Sequence, residues 1–255
     1  MSTPIVHHEV TGEPEQPAVV LSNSLGTNLR LWDAQVPALA EHFRVIRYDS
    51  RGHGRSPVEP GPYSIEDLGG DVVALLDHLG IDRAYVVGIS IGGLTAQYLA
   101  AAHPDRVRGI VVANSAPRLG QPDAWRDRAQ RVTTEGMAAV ATGVVQKWLT
   151  TAYARDHPET EAWLTDMLLA NDPSGYAATC SALARADLRE AIRSVTVPTL
   201  VIGGAADTSV EPQDTRTVAE AVRGAIYHEL PTAHISNVEA ADDFTRLVLG
   251  FLLSG

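Results

Sequence analysis

Residues Tyr85–Leu94 read YVVGISIGGL, an apolar run that closes on a serine bracketed by glycines. Apolar residues at nearly every position mark a strand covered on both faces, as in a parallel sheet. The glycines demand a tight bend or a close approach of backbone to backbone. Ser90 therefore has two readings. It is a small residue that the bend required, or a side chain thrust out at a strand-to-helix turn. The surrounding chain discriminates between them.

Outward from this stretch the same unit recurs. Short β-rich apolar runs stand at Ala18–Ser22, Phe43–Asp49, Ala84–Ser90, Val107–Ser115, Thr199–Gly204 and Ala225–Leu230. Amphipathic stretches lie among them at Ile65–Gly80, Ile91–Pro104, Glu211–Gly224 and Glu239–Leu253. Leu68, Val72, Leu75, Leu76 and Leu79 recur at helical spacing, as do Phe244, Leu247, Val248 and Phe251. Strands alternating with helices predict an α/β chain with a mainly parallel sheet wrapped by helices. The rhythm breaks once, from about Arg118 to Arg193, where no convincing strand occurs. Trp125, Trp148 and Trp163 fall here. A helical excursion with its own small core accounts for the segment. Its place in the order also suits a lid over the sheet's C-terminal edge, where open α/β sheets bind ligands.

Composition narrows the class. Of 255 residues, 45% are hydrophobic and 20% charged, ordinary for a globular chain that buries a real core. No apolar run approaches the ~18–20 residues of a membrane span. The opening MSTPIVHHEVTGE lacks a basic region followed by an apolar stretch, so no secretory leader is read there. The single Cys180 excludes an internal disulfide and suits a reducing compartment, so a cytoplasmic location is expected. The net charge of −11 argues against nucleic acid and anionic membranes as partners. Lys147 is the only lysine among 20 basic residues, a bias that codon usage explains. Because the global field repels anions, a substrate carboxylate would need a locally placed Arg.

A Gly-x-Ser-x-Gly match is weak alone. Here it ends a buried-type strand and precedes a helix, the placement a nucleophile elbow needs. Gly88 and Gly92 supply flanks without bulk, and Gly93 lets the helix pack close to the strand. The helix N-terminus aims N–H groups toward a developing oxyanion. A serine hydroxyl needs a base, and in this motif the partners follow in the order Ser…Asp…His. Of the nine histidines, His234 in LPTAHISNVE lies late, in a loop between the last strand and the last helix. His228 sits within a strand-like run instead. Asp207 follows the strand TLVIGG, whereas Glu211 and Asp214 read as first-turn helix residues. The end of the preceding strand, Asn114–Pro117, offers no carboxylate. Expected oxyanion donors are the Ile91 N–H and, from the loop SNSLGTN, the Leu25 N–H. Together these parts predict acyl transfer through Ser90, with Asp207 orienting His234.

Other candidates are weaker. His7, His8 and Glu9 lack further ligands at metal spacing, so no metal is expected. Cys180 is not on an elbow. RGHGRS (Arg51–Ser56) lacks the Lys-Ser/Thr ending of a phosphate loop and reads as a structural turn.

With these residues in place the chain resembles the α/β-hydrolase superfamily, and within it the 3-oxoadipate enol-lactone hydrolases. The resemblance runs over nearly the whole chain. It is carried by LSNSLGTNLRLWDAQ (Leu21–Gln35), FRVIRYDSRGHGRSPVEPGPYSIEDLGGDVVALLD (Phe43–Asp77), GISIGGL (Gly88–Leu94), GYAATCSALARADLR (Gly175–Arg189) and ELPTAHISNVEAADDF (Glu229–Phe244). The SNSLGT loop and the GYAA…DLR stretch are more telling than the widespread RGHG turn. Ile91 stands where that family usually has Met, and VEAADDF replaces its common VEQP.

The resemblance implies an α/β-hydrolase fold with a mostly parallel central sheet flanked by helices. It implies a core of residues 1–117 and 194–255, with a helical lid, 118–193, inserted between the later strands. It further implies cofactor-free opening of a small enol lactone that bears a carboxymethyl arm, in aromatic catabolism. The expected partner is a small anionic lactone or ester; the oligomeric state is left open. For the carboxylate the lid offers Arg118, Arg126, Arg128, Arg131, Arg185 and Arg189, with Arg128 and Arg185 foremost. Trp125 and Trp148 are pocket candidates. Alternatives are another small-ester, perhydrolase-type or C–C bond hydrolase, or a ligand receptor on the same fold.

Overall fold

The computed structural model describes residues 5–254. Residues 1–4, where the stretch read for a leader begins, and Gly255 lie outside the described residues. The strands are β1 (His8–Thr11), β2 (Ala18–Ser22), β3 (Arg44–Tyr48), β4 (Ala84–Ile89), β5 (Val107–Ala113), β6 (Thr199–Gly204) and β7 (Ile226–Leu230). The described residues form one seven-stranded sheet in the order β1-β3-β2-β4-β5-β6-β7. β1 pairs antiparallel with β3; all other pairings are parallel. β2, β4 and β6 are buried at every position, as their unbroken apolar runs require.

β1 was not among the strands read from the sequence. HEVT has no apolar run, and three of its four residues are exposed. It is an edge strand held by main-chain pairing to β3, which leaves no hydrophobic signature.

The helices are α1 (Val36–Ala40), α2 (Ile65–His78), α3 (Ile91–Ala102), α4 (Pro122–Glu135), α5 (Ala138–Val145), α6 (Thr151–Asp156), α7 (Pro158–Leu169), α8 (Pro173–Arg185), α9 (Pro212–Ala221), α10 (Ser236–Glu239) and α11 (Ala241–Ser254). α2 begins at a reciprocal cap: Ser64 accepts the Asp67 N–H while the Asp67 carboxylate accepts that of Ser64. Its Leu68, Val72, Leu75 and Leu76 are buried, each stabilising by roughly 1.5–3 kcal/mol relative to exposure. α11 lays Phe244, Val248 and Leu252 inward, Phe244 against Trp32 at 6.1 Å between ring centroids.

Helices α4–α8 occupy the segment between β5 and β6. They have no separate core: Leu164, Leu168 and Tyr176 continue the same apolar cluster as Val19, Leu21 and Val87 of the sheet. α8 is pinned to the loop after β3, where Gly52 and Gly175 meet so closely that a Cβ on Gly175 would lie 2.3 Å from the Gly52 carbonyl oxygen. The RGHGRS turn thus buttresses the insertion, as a structural turn should. No helix among the described residues is long and apolar enough to cross a membrane. Parallel pairing brings the C-terminal ends of β2, β4, β5, β6 and β7 to one edge of the sheet, and the site is built there.

Candidate active site

Ser90 stands between β4 and α3 with φ 57° and ψ −120°, a conformation rarely adopted by a residue with a Cβ. Such strain costs on the order of 1–3 kcal/mol and persists where the surroundings over-determine it. The surroundings do so. Ser90 N–H is tied to the Ala113 carbonyl at 2.9 Å. A Cβ on Gly88 would lie 2.1 Å from the Gly92 oxygen, and one on Gly92 would lie 2.2 Å from the Ser22 oxygen. The glycines are there because three backbones meet, and the serine side chain is what the turn presents.

His234 leaves the loop after β7 and is bonded through Nδ1 to Asp207 Oδ2 at 2.8 Å, with both residues buried. Asp207 Oδ1 accepts the N–H groups of Ser209 at 2.7 Å and Val210 at 3.0 Å. Burial opposes ionisation of Asp207, but the neighbouring His234 imidazole, its hydrogen bond and those two N–H groups outweigh it and hold the carboxyl below its usual value. An ionised carboxylate only accepts, so Nδ1 carries the proton and the lone pair is left on Nε2. That is the tautomer of a general base. Glu211 and Asp214 flank the start of α9 and bond neither partner.

Ser90 and His234 line one cavity of about 170 Å³. Leu25, Trp125, Arg128 and Trp148 line it too. Ile91 is the first residue of α3, whose N–H has no intrahelical acceptor. Trp125 donates its indole N–H to the Leu119 carbonyl at 2.6 Å, and the Arg128 guanidinium lies 4.6 Å over its ring. The cavity wall holds Arg128 and Lys147 and no acidic residue.

Arg185 is not brought there. It lies in the last turn of α8, donates to the Tyr63 carbonyl, and lines a separate groove with Ser64 and Asp187. Its guanidinium pins α8 to the loop before α2, which corrects the expectation that it meets substrate. Three other arginines of the segment between β5 and β6 pair with acids on their own helix or loop: Arg126 with Asp123, Arg131 with Glu135 and Arg189 with Asp187. Arg118 faces a different groove. His7 bonds Asp49 at 2.9 Å and His8 the Val6 carbonyl at 2.9 Å; among the described residues no three His, Cys, Asp or Glu gather as a metal site.

Four residues at the site escaped the sequence reading. Asn114, at the end of β5, bonds Asp207 and the His234 loop. Glu239 accepts the Ala233 N–H at 2.9 Å and both the N–H and the hydroxyl of Thr150. Tyr176 and Lys147 line the cavity. Only Lys147 carried a signal, as the one lysine of the chain.

A profile of the alpha/beta hydrolase fold family matches residues 17–241. The chain is 40% identical to 3-oxoadipate enol-lactonase 2 of Acinetobacter baylyi, over 95% of this chain and 91% of that protein. It superposes on the crystal structure of the enol-lactonase from Burkholderia xenovorans with a TM-score of 0.96 and 46% identity, covering 97% of this chain and 96% of that one. A thermophilic esterase from Thermogutta terrifontis, solved with malate bound, superposes with a TM-score of 0.92 and 28% identity, covering 98% and 93%.

Proposed function

From the premise that the chain belongs to the α/β-hydrolase family, we propose that it is an enol-lactonase that opens 3-oxoadipate enol-lactone to 3-oxoadipate through an acyl-enzyme on Ser90. The observation that carries the reading is the 2.8 Å bond from His234 to Asp207 beside a strained, cavity-facing Ser90. The enol-lactonases at 40% and 46% identity support the substrate. So does the related esterase that holds malate, a dicarboxylate.

In this mechanism His234 Nε2 takes the Ser90 proton as Oγ attacks the lactone carbonyl. The Ile91 and Leu25 N–H groups receive the oxyanion; one such donor is worth ~10²–10³ in rate. The ring C–O bond then breaks, and His234 returns the proton to the enol oxygen, which tautomerises to the ketone. The leaving group is tethered, because ring opening leaves it on the acyl chain. Water, deprotonated by His234, attacks the acyl carbon, and Ser90 recovers its proton as the carboxylate leaves. Arg128 meets the substrate carboxylate, Trp125 and Trp148 its apolar body. Residues 118–193 serve as the lid, and no cofactor enters the steps.

The test is loss of the enol-lactone absorbance with purified protein, together with fluorophosphonate labelling. Labelling is expected at Ser90 and lost in Ser90→Ala. Equal labelling of both proteins would end the acyl-enzyme reading. Far faster turnover of simple acetate esters than of the lactone would instead make the protein a general esterase.

A further inference from the structure

Tyr176 is fully buried on α8, and beyond the approach of the Arg128 side chain its hydroxyl makes no well-aligned hydrogen bond among the described residues. A buried donor that is poorly satisfied is costly, so a ligand group that accepts from it is favoured. Tyr176 lines the same cavity as Ser90 and His234, and the Arg128 guanidinium lies beside its hydroxyl. Arg128 is held over Trp125 and makes no ion pair among the described residues. Lys147 reaches the cavity just past the end of α5, exposed and likewise without an ion pair there. A chain of net charge −11 thus sets two cations without ion pairs among the described residues, and a buried phenol beside one of them, into a wall that carries no carboxylate.

We propose that Tyr176, Arg128 and Lys147 form an anion seat that makes the enzyme selective for acyl substrates bearing a carboxylate. The seat rests on the hydrolase reading above and adds its specificity element. The two cations neutralise the carboxylate, Arg128 from a guanidinium fixed by stacking and Lys147 from a mobile stem at the mouth. The phenol supplies a short, directional donor that a neutral arm would exploit less, since hydrogen bonds to charged groups are about twice as strong. Burial pushes the Tyr176 phenol up, against the Arg128 charge, so it stays protonated as a donor. The same buried hydroxyl would disfavour substrates with a purely apolar arm, which offer it no acceptor.

The experiment compares kcat/KM for the carboxymethyl enol-lactone with that for its neutral primary amide, in wild type, Tyr176→Phe and Lys147→Met. The charged-over-neutral ratio is expected to fall about 10-fold or more in each variant, as loss of a hydrogen bond or ion contact to a charge predicts. An unchanged ratio in both variants would overturn the seat. Binding separates this from failure of the catalytic reading. Calorimetry on Ser90→Ala, where hydrolysis plays no part, should show adipate binding and adipamide not, with adipate weakened by adding Tyr176→Phe. Equal binding of adipate and adipamide would refute the seat even if the lactone is hydrolysed. Selective adipate binding with no lactone turnover by wild type would keep the seat and refute the function. Lys147 is exposed, so Lys147→Met tests the idea without disturbing a core.

Discussion

Asn114 Nδ2 donates to Asp207 Oδ2 at 3.1 Å, the same oxygen that His234 engages at 2.8 Å. Asn114 also donates to the Ala233 carbonyl at 3.1 Å and accepts the Ser236 hydroxyl at 2.5 Å. One side chain therefore holds the carboxylate and both shoulders of the histidine loop. It does so from φ 45°, a conformation Asn tolerates better than most residues. Asn114→Ala should lower kcat about 10–100-fold, the usual effect of losing a support behind a catalytic ligand. KM should move less. A kcat within twofold of wild type, with an intact thermal transition, would remove Asn114 from the site.

Asp207 has a folded-state pKa below its unfolded value. Its contribution to stability is therefore fully present above the unfolded carboxylate pKa and lost as pH falls through the folded value. Urea unfolding of wild type and Asp207→Asn should show a gap that is widest near neutrality and closes in acid. The variant should also lose about 10⁴-fold in kcat, because an amide no longer enforces the Nδ1–H tautomer. A gap independent of pH would contradict the assignment.

The glycines that flank Ser90 admit no Cβ. In Gly92→Ala the new methyl would lie 2.2 Å from the Ser22 oxygen and 2.5 Å from its carbonyl carbon, backbone atoms that cannot swing aside. Gly92→Ala should yield insoluble or inactive protein, as should Gly88→Ala. Gly143→Ala, where nothing lies within 4 Å, is the control that should remain soluble. Wild-type Tm in Gly92→Ala would show that the strand–turn–helix packing is looser than these distances require.

Glu239 couples the insertion to the His234 loop. It gathers the Ala233 N–H beside His234 and the Thr150 N–H and hydroxyl from the insertion, while Ile235 N–H donates to the Trp148 carbonyl at 2.9 Å. Glu239→Gln should lower kcat roughly 10-fold by loosening the His234 loop. Thr150→Val in that background should add little, because both changes break one network. Full additivity would mean that the two contacts act separately.

Cys180 is fully buried, and burial drives its thiol up to about 12, against the Arg128 charge. The reactive thiolate is scarce at neutral pH. Native protein should resist maleimide and react once unfolded in urea. Rapid labelling of folded protein with loss of activity would place the thiol within reach of the cavity.

The sequence by itself determined the parallel core and picked out the three residues proposed to carry the chemistry. Unbroken apolar runs can only be strands covered on both faces, the glycines about Ser90 record where backbones must touch, and Asp207 and His234 each follow a strand end. These are local signals, because each residue's neighbours in the chain are what constrain it. Tertiary structure alone decided the rest. β1 is held by main-chain pairing, to which side chains contribute little. Asn114 and Glu239 act across 93 and 89 residues of chain and Tyr176 meets an arginine of another helix, and nothing near them in sequence marks a partner brought close only by folding. The arginines were indistinguishable as letters. Folding gave Arg185 the Tyr63 carbonyl, gave Arg126, Arg131 and Arg189 their own acids, and left Arg128 without an ion pair among the described residues, over Trp125 and beside Tyr176. Where a charge ends up depends on which groups burial leaves unsatisfied, and only the packed chain settles that.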